Sequence, residues 1–252
     1  VIQRSARRLA ILIICQTVLF GVNPLFAVDL FAVSLFSVNL FSVNPFSVNQ
    51  GATQAPAAPV EHRKTSEPYT GDLTIFDSAG RDKRLQINRV MDILGVTSGK
   101  SVADIGAGSG WFTVRAARRV GEGGTVYAVD INPQSIKYMA DRAQKERLRN
   151  VKTILGKADD PLLPAASVDS VLLLKTYHEV AEPVALLQKL RAALRPGAKV
   201  GIIDRDGNGE DHGVGRDVVL REAAQAGYRL LNQYDFVKGD KMDYFLVFKA
   251  TP

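Results

Sequence analysis

One cysteine, Cys15, stands in 252 residues, and a lone thiol excludes both a disulfide framework and a cysteine-based zinc site within one chain. Histidine is scarce as well. His62, His178 and His212 are the three, and no two fall at the short spacing along the chain that marks a metal-ligand pair, so no metal is expected. The acids and the histidine of the loop Asp204, Asp206, Glu210, Asp211 and His212 read as a solvated loop rather than a cation site. A strong basic excess is missing too: the formal charge of +6 is modest and dispersed. Clusters such as Arg115, Arg118, Arg119 and Arg142, Lys145, Arg147, Arg149 fall on predicted helix faces with acids nearby, and no basic stripe with interleaved aromatics accompanies them. Nucleic acid is therefore not the expected partner.

What is present divides into three parts. In residues 1–27, Arg4, Arg7 and Arg8 precede an apolar stretch from Leu9 to Val22, after which Asn23 and Pro24 break any helix. This is the layout of a secretory signal, too short to span a bilayer comfortably, with a membrane anchor as the alternative. Cleavage after Ala27 is poorly marked, because Leu25 stands where a small residue would be expected. Residues 28–68 hold a pentapeptide repeat and a linker. From Phe26 to Gln50 the chain cycles through units such as Phe-Ala-Val-Asp-Leu and Phe-Ser-Val-Asn-Leu. A period of five matches neither a helix face nor a strand face. It is reminiscent of square β-helices, but five copies make little more than one coil, so a low-complexity tail is expected. Residues 69–252 form the expected folded domain, and the 46% apolar content of the chain suffices for one sizeable core.

Within that domain the pattern alternates. Strands are predicted at 101–105, 125–130, 151–155, 168–174, 199–204, 228–234 and 244–249, and helices at 83–94, 111–120, 135–146, 184–194 and 214–226. Alternation of this kind gives an α/β fold with a mainly parallel sheet covered on both faces. The last two strands are separated by only a short polar turn around Lys238-Gly239-Asp240. Such a connection cannot cross over the sheet, so the seventh strand should run antiparallel to the sixth.

The chemistry concentrates in Val102-Ala103-Asp104-Ile105-Gly106-Ala107-Gly108-Ser109-Gly110 and, twenty residues on, Val126-Tyr127-Ala128-Val129-Asp130. A buried strand ends in a glycine turn, a helix starts at Trp111, and a second buried strand ends in a carboxylate. Asp130 is placed to accept hydrogen bonds from vicinal ribose hydroxyls. Dinucleotide folds place a third glycine where this chain has Trp111, which argues against a pyrophosphate.

The Asp-x-Gly-x-Gly-x-Gly pattern resembles the first motif of class I S-adenosylmethionine (SAM)-dependent methyltransferases. Val168-Asp169-Ser170-Val171-Leu172-Leu173-Leu174 resembles their fourth strand, and Leu190 to Ala198, with Arg195-Pro196-Gly197, resembles the turn before their fifth. The resemblance covers roughly residues 75–249. It implies a Rossmann-like seven-stranded sheet with an antiparallel last strand, and SAM as cofactor. Asp104, Gly106, Ala107, Gly108 and Gly110 would hold its methionine part, Asp130 and Ile131 its ribose side, and Ala158 and Asp159 its adenine edge. Lys175 would lie beside it. The loop Lys175 to Glu179 follows the fourth strand, so the resemblance puts it near the reactive methyl group. His178, oriented by Glu179, is the candidate base, and Tyr177 the second catalytic candidate, with closure of the cofactor pocket as their alternative role. The segment from Phe76 to Gln86 is a candidate lid. The expected acceptor is a small molecule or a lipid. Two alternatives stay open: a nicotinamide oxidoreductase, and an exported or membrane-tethered binding protein that keeps the fold without catalysis. The signal-like start points to export or anchoring, whereas SAM is made in the cytoplasm.

Overall fold

A computed structural model describes residues 63–65, 69, 71–208 and 212–252. The signal-like segment, the pentapeptide repeat, most of the linker, His62, Glu210 and Asp211 lie outside the described residues. Among the described residues, no helix is long and apolar enough to cross a membrane.

Seven strands form one sheet in the order β3-β2-β1-β4-β5-β7-β6. They are β1 (Ser101–Ile105), β2 (Thr125–Asp130), β3 (Val151–Leu155), β4 (Val168–Leu174), β5 (Leu194–Asp204), β6 (Tyr228–Tyr234) and β7 (Tyr244–Ala250). The first five run parallel, and β7 is antiparallel to both β5 and β6, as the short turn before it requires. Among the described residues six α-helices accompany them: α1 (Arg81–Leu85), α2 (Ile87–Leu94), α3 (Trp111–Val120), α4 (Pro133–Lys145), α5 (Pro183–Leu190) and α6 (Arg216–Gln225).

Side chains alternate between the two faces of a strand, and this alternation builds two cores. Val102, Leu172, Ile203 and Val247 join Leu85, Val90 and Leu94 of α1 and α2 and Phe112 and Ala116 of α3. Their neighbours along the strands, Ala103, Leu173, Ile202 and Leu246, join Leu186, Leu187 and Leu190 of α5 and Val219 and Ala223 of α6. Both faces of the central strands are dry, so the polar chemistry is driven to the strand ends.

Two elements depart from the sequence reading. The helix expected over 83–94 is broken, because Gln86 adopts a left-handed conformation with φ of 52°, and its side-chain amide donates to the Phe236 carbonyl at 3.1 Å. The helix expected to reach 194 stops at Leu190, and β5 begins at Leu194 rather than 199, with Pro196 and Gly197 carried inside its exposed first half.

The packed chain also reaches back beyond the expected boundary at 69. The Arg63 amide donates to the Ala181 carbonyl at 2.9 Å. Its guanidinium donates to the Tyr177 carbonyl and to both oxygens of Glu222 on α6, each at 2.7 Å. Both side chains of this pair are largely shielded from solvent, so removing one strands the other. Arg63→Ala should lower stability by about 2–3 kcal/mol in urea unfolding; an unchanged midpoint would show that the clamp contributes nothing.

Candidate functional site

The carboxyl edge of β1, β2, β4 and β5 carries the site. After β1 the backbone turns through Gly106, Gly108 and Gly110 with φ of 70°, 54° and 76°, a region that side chains rarely enter. At Gly106 a side chain would also collide with Thr176, the residue that follows Lys175 after β4. The amides of Gly106 and Ala107 donate to the Val129 carbonyl at 2.8 and 3.0 Å, which ties the turn to β2.

Three strands carry an aspartate at or next to their carboxyl end, and each carboxylate is satisfied differently. Asp104 is almost fully enclosed and accepts from the Thr113 hydroxyl on α3 at 2.6 Å. Burial pushes its carboxyl up to about 7, against the hydrogen bond from Thr113. Asp130 accepts from the Gly108 amide at 2.8 Å and from the Asn132 amide at 2.9 Å. Burial raises its carboxyl, while these backbone donors oppose the shift. A carboxylate has about four acceptor positions, so two amide contacts leave room for a pair of hydroxyls. Asp204 is wholly buried and accepts from the His178 amide at 3.1 Å, from His178 Nδ1 at 2.8 Å and from the Arg205 amide at 2.9 Å.

The sequence reading assigned the orientation of His178 to Glu179, and the structure assigns it to Asp204. Residues Tyr177–Glu179 form a 3-10 turn that points the imidazole at the end of β5. Because a carboxylate accepts, Nδ1 carries a hydrogen, and Nε2 is the ring nitrogen turned away from Asp204. Glu179 lies on that other side, with Oε1 3.3 Å from Nε2. His212, expected to stand alone, brings Nδ1 to 3.3 Å from the same Glu179 oxygen. Tyr177, the second expected catalytic side chain, turns the other way: it is fully enclosed in the core with α5 and α6, and burial raises its hydroxyl well above the ordinary phenol range. It cannot touch an acceptor from there.

The remaining expected residues are distributed along the edge. Ile131 is 47% exposed directly after Asp130, an apolar surface suited to a flat ring. Ala158 is exposed. The Asp159 carboxylate is engaged by Lys189 of α5, which holds it below the usual range. That pairing departs from the expected adenine contact, because a lysine one helix away offers the carboxylate a full charge. Lys175, with φ of 54°, lines a cleft of about 400 Å³ together with Phe76, Arg81, Arg84, Asp240 and Lys241.

The segment expected as a lid packs against the glycine turn, and Tyr69, ahead of the expected Phe76, reaches the loop after β2. Asp77 accepts from the Ser109 hydroxyl at 2.8 Å and from Arg142 of α4 at 2.8 Å, and Arg142 also donates to the Ser109 carbonyl at 2.9 Å. The Asn132 side chain donates to the Tyr69 carbonyl at 2.8 Å. Trp111 supports this layer from below: it is buried, and the guanidinium carbons of Arg81 and Arg115 lie 4.4 and 4.0 Å from its ring centre. Arg63, Thr113, Arg142 and Asp204 were not singled out as partners from the sequence. Only Asp204 had a readable signal, since an acid ending an apolar strand is the same feature that drew attention to Asp130.

The raised carboxyl of Asp104 has a consequence for stability. Between its ordinary value of 3.8 and about 7 the folded chain keeps a proton that the unfolded chain has released, so stability falls as pH rises through that window and the full cost is present above it. Relative to Asp104→Asn, the native chain should lose on the order of 3 kcal/mol between pH 4 and 8. Urea unfolding of both proteins across this range checks it, and parallel profiles would contradict it.

The chain was compared with known proteins. Residues 96–226 match the family model described as a methyltransferase domain. A nocamycin O-methyltransferase from Saccharothrix syringae is 31% identical over 129 residues, which are 51% of this chain and 46% of that protein. A tRNA (adenine(58)-N(1))-methyltransferase from Thermus thermophilus is 32% identical over 142 residues, 54% of this chain and 51% of that one. The chain thus spans about half the length of the curated relatives it matches. Among solved structures, a SAM-dependent methyltransferase from Aquifex aeolicus superposes with a TM-score of 0.64 at 24% identity, covering 70% of this chain and 95% of that one, a likeness of fold. With the family match extending over more than half of its length, the chain belongs to the class I SAM-dependent methyltransferases and takes SAM as its cofactor.

Proposed function

We propose that the chain transfers a methyl group from SAM to a small-molecule acceptor through an oxygen or similar ionisable nucleophile. The observation that carries this reading is the cleft of about 400 Å³ lined by Phe76, Lys175 after β4 and the turn before β7, a size suited to a small molecule. Phe76 lines that cleft and also lies 3.6 Å from where a Gly108 side chain would start. Arg81 and Arg84 in the lining are paired with Asp240, and Lys175 and Lys241 also line the cleft, which favours an acceptor with an acidic group. The nocamycin O-methyltransferase relative supports an oxygen acceptor.

The nucleic-acid reading finds less support in the side chains. The arginines of α3 and α4 are committed within the fold, Arg115 to Asp82, Arg118 to Glu146, Arg119 to Asp92 and Arg142 to Asp77 and Glu146. A phosphate backbone needs such charges free. The nicotinamide alternative has no feature in its favour, since the family match and the antiparallel β7 both belong to the methyltransferase reading.

In this reading Asp130 holds the ribose, the glycine turn and Asp104 lie along the methionine part, and Ile131 and Ala158 flank the adenine. His178 acts on the acceptor, and Asp204 is its positioning residue. Methyl transfer is an in-line displacement, so alignment supplies much of the rate. The acceptor's oxygen forms a bond to the methyl carbon as the carbon–sulfur bond breaks, sulfur keeps the electron pair, and the acceptor's proton is released.

Two measurements test this assignment. Asp130→Ala should weaken SAM binding by about 2–4 kcal/mol, roughly 30-fold or more, in calorimetry; unchanged affinity would overturn the ribose assignment. With an acceptor found by screening small molecules against methyl-labelled SAM, His178→Ala should cut turnover by roughly 100-fold while SAM affinity stays within a few fold. A parallel fall in affinity and turnover would reduce His178 to a pocket wall.

A further inference from the structure

We infer that His178, Glu179 and His212 form a binding site for one divalent d-block cation of the zinc type, positioned to receive the acceptor's oxygen. The inference rests on the proposed acceptor side and names how His178 acts there.

Three observations carry it. First, the ligand atoms converge: His178 Nε2, a Glu179 carboxylate oxygen and a His212 ring nitrogen all lie within 4.8 Å of one another. Two of the three separations, Nε2 to Oε1 and Oε1 to His212 Nδ1, are 3.3 Å. Ligands bound tetrahedrally at about 2.0–2.1 Å stand roughly 3.3–3.4 Å apart, so both edges already have the length a zinc ion imposes. His212 is 65% exposed, and the third edge lies within the 4.8 Å that bounds the set.

Second, the three side chains meet at one oxygen. His178 turns Nδ1 to Asp204, so Nε2 is the ring nitrogen that faces Glu179 Oε1, and His212 Nδ1 meets the same oxygen; a metal ion there would take one ligand atom from each.

Third, the support is that of a metal ligand. A ligating imidazole donates its other N–H to a carboxylate that fixes the ring and raises its basicity. Asp204 does this from a fully buried position, itself held by the His178 and Arg205 amides. The loop that brings His212 is tied at its base, with Asn208 bridged to Val214 and the Val214 amide donating to the Arg205 carbonyl at 2.8 Å.

Two histidines and one carboxylate leave at least one coordination position open. An acceptor hydroxyl bound there loses its proton to water near neutral pH, because the cation lowers its pKa. Its oxygen then takes the methyl group from SAM, and S-adenosylhomocysteine leaves as the neutral thioether. His178 acts as a ligand in this scheme, with its lone pair committed to the metal.

The test uses the full chain stripped with chelator and titrated with Zn²⁺ by calorimetry, and with Co²⁺ by visible absorption. One Zn²⁺ per chain is expected, together with the intense absorption of low-coordinate Co²⁺. His212→Ala, at an exposed position that spares the core, should weaken Zn²⁺ binding by at least 30-fold, and Glu179→Gln by at least 10-fold, while SAM affinity of His212→Ala stays within twofold of the native chain. Absence of Zn²⁺ binding, or equal binding by native chain and His212→Ala, would overturn the site. Zn²⁺ binding without SAM binding would uphold the metal site and overturn the methyltransferase reading on which its role rests.

Discussion

Apolar strands that carry a largely enclosed carboxylate at or next to their ends constrain this molecule more than any other feature. Taking a carboxylate out of water is costly unless donors meet it; β2 and β5 end in aspartate, and β1 carries one next to its last residue. Each has therefore recruited a different piece of chain. Thr113 brings the start of α3 onto Asp104, the Gly108 and Asn132 amides close on Asp130, and the 3-10 turn after β4 folds back so that His178 meets Asp204. The loops of the carboxyl edge are arranged around these acids, and the same satisfaction leaves polar groups pointing into the crevice.

The contrast between Asp104 and Asp204 shows how local donors decide chemistry. With one hydroxyl as its close side-chain partner, Asp104 is pushed toward neutrality near physiological pH. Asp204 collects two backbone amides and a ring nitrogen and fixes an imidazole. The first acid lies under the glycine turn and the second behind His178, so the two sides of the proposed site rest on carboxylates with different partners.

Much of the fold was legible in the sequence because its central strands are short, apolar and bounded by glycine or charge. β1, β2, β3, β4, β6 and α3 fall where periodicity and turn residues put them. The glycine turn and Asp130 were readable for the same reason, since local backbone needs fix their residue types. What escaped was set by contacts distant along the chain. Gln86 breaks a helix by reaching Phe236, and Arg63 clamps α6 from a stretch that reads as linker. His178 and Asp204 are 26 residues apart, and His212 and Glu179 are 33 apart; no spacing rule within a single helix or strand joins them. Tyr177 illustrates the opposite error, because its place beside His178 in sequence says nothing about which way a 3-10 turn sends consecutive side chains.

The central claim is that the carboxyl edge of β1 and β2 is the cofactor cradle and that the edge of β4 and β5 faces the acceptor. A crystal structure of the chain with S-adenosylhomocysteine tests it most directly. The account predicts the ribose hydroxyls on Asp130, the adenine against Ile131 and the sulfur directed toward the turn that carries His178; a cofactor bound elsewhere, or with its sulfur turned away from β4, would contradict it.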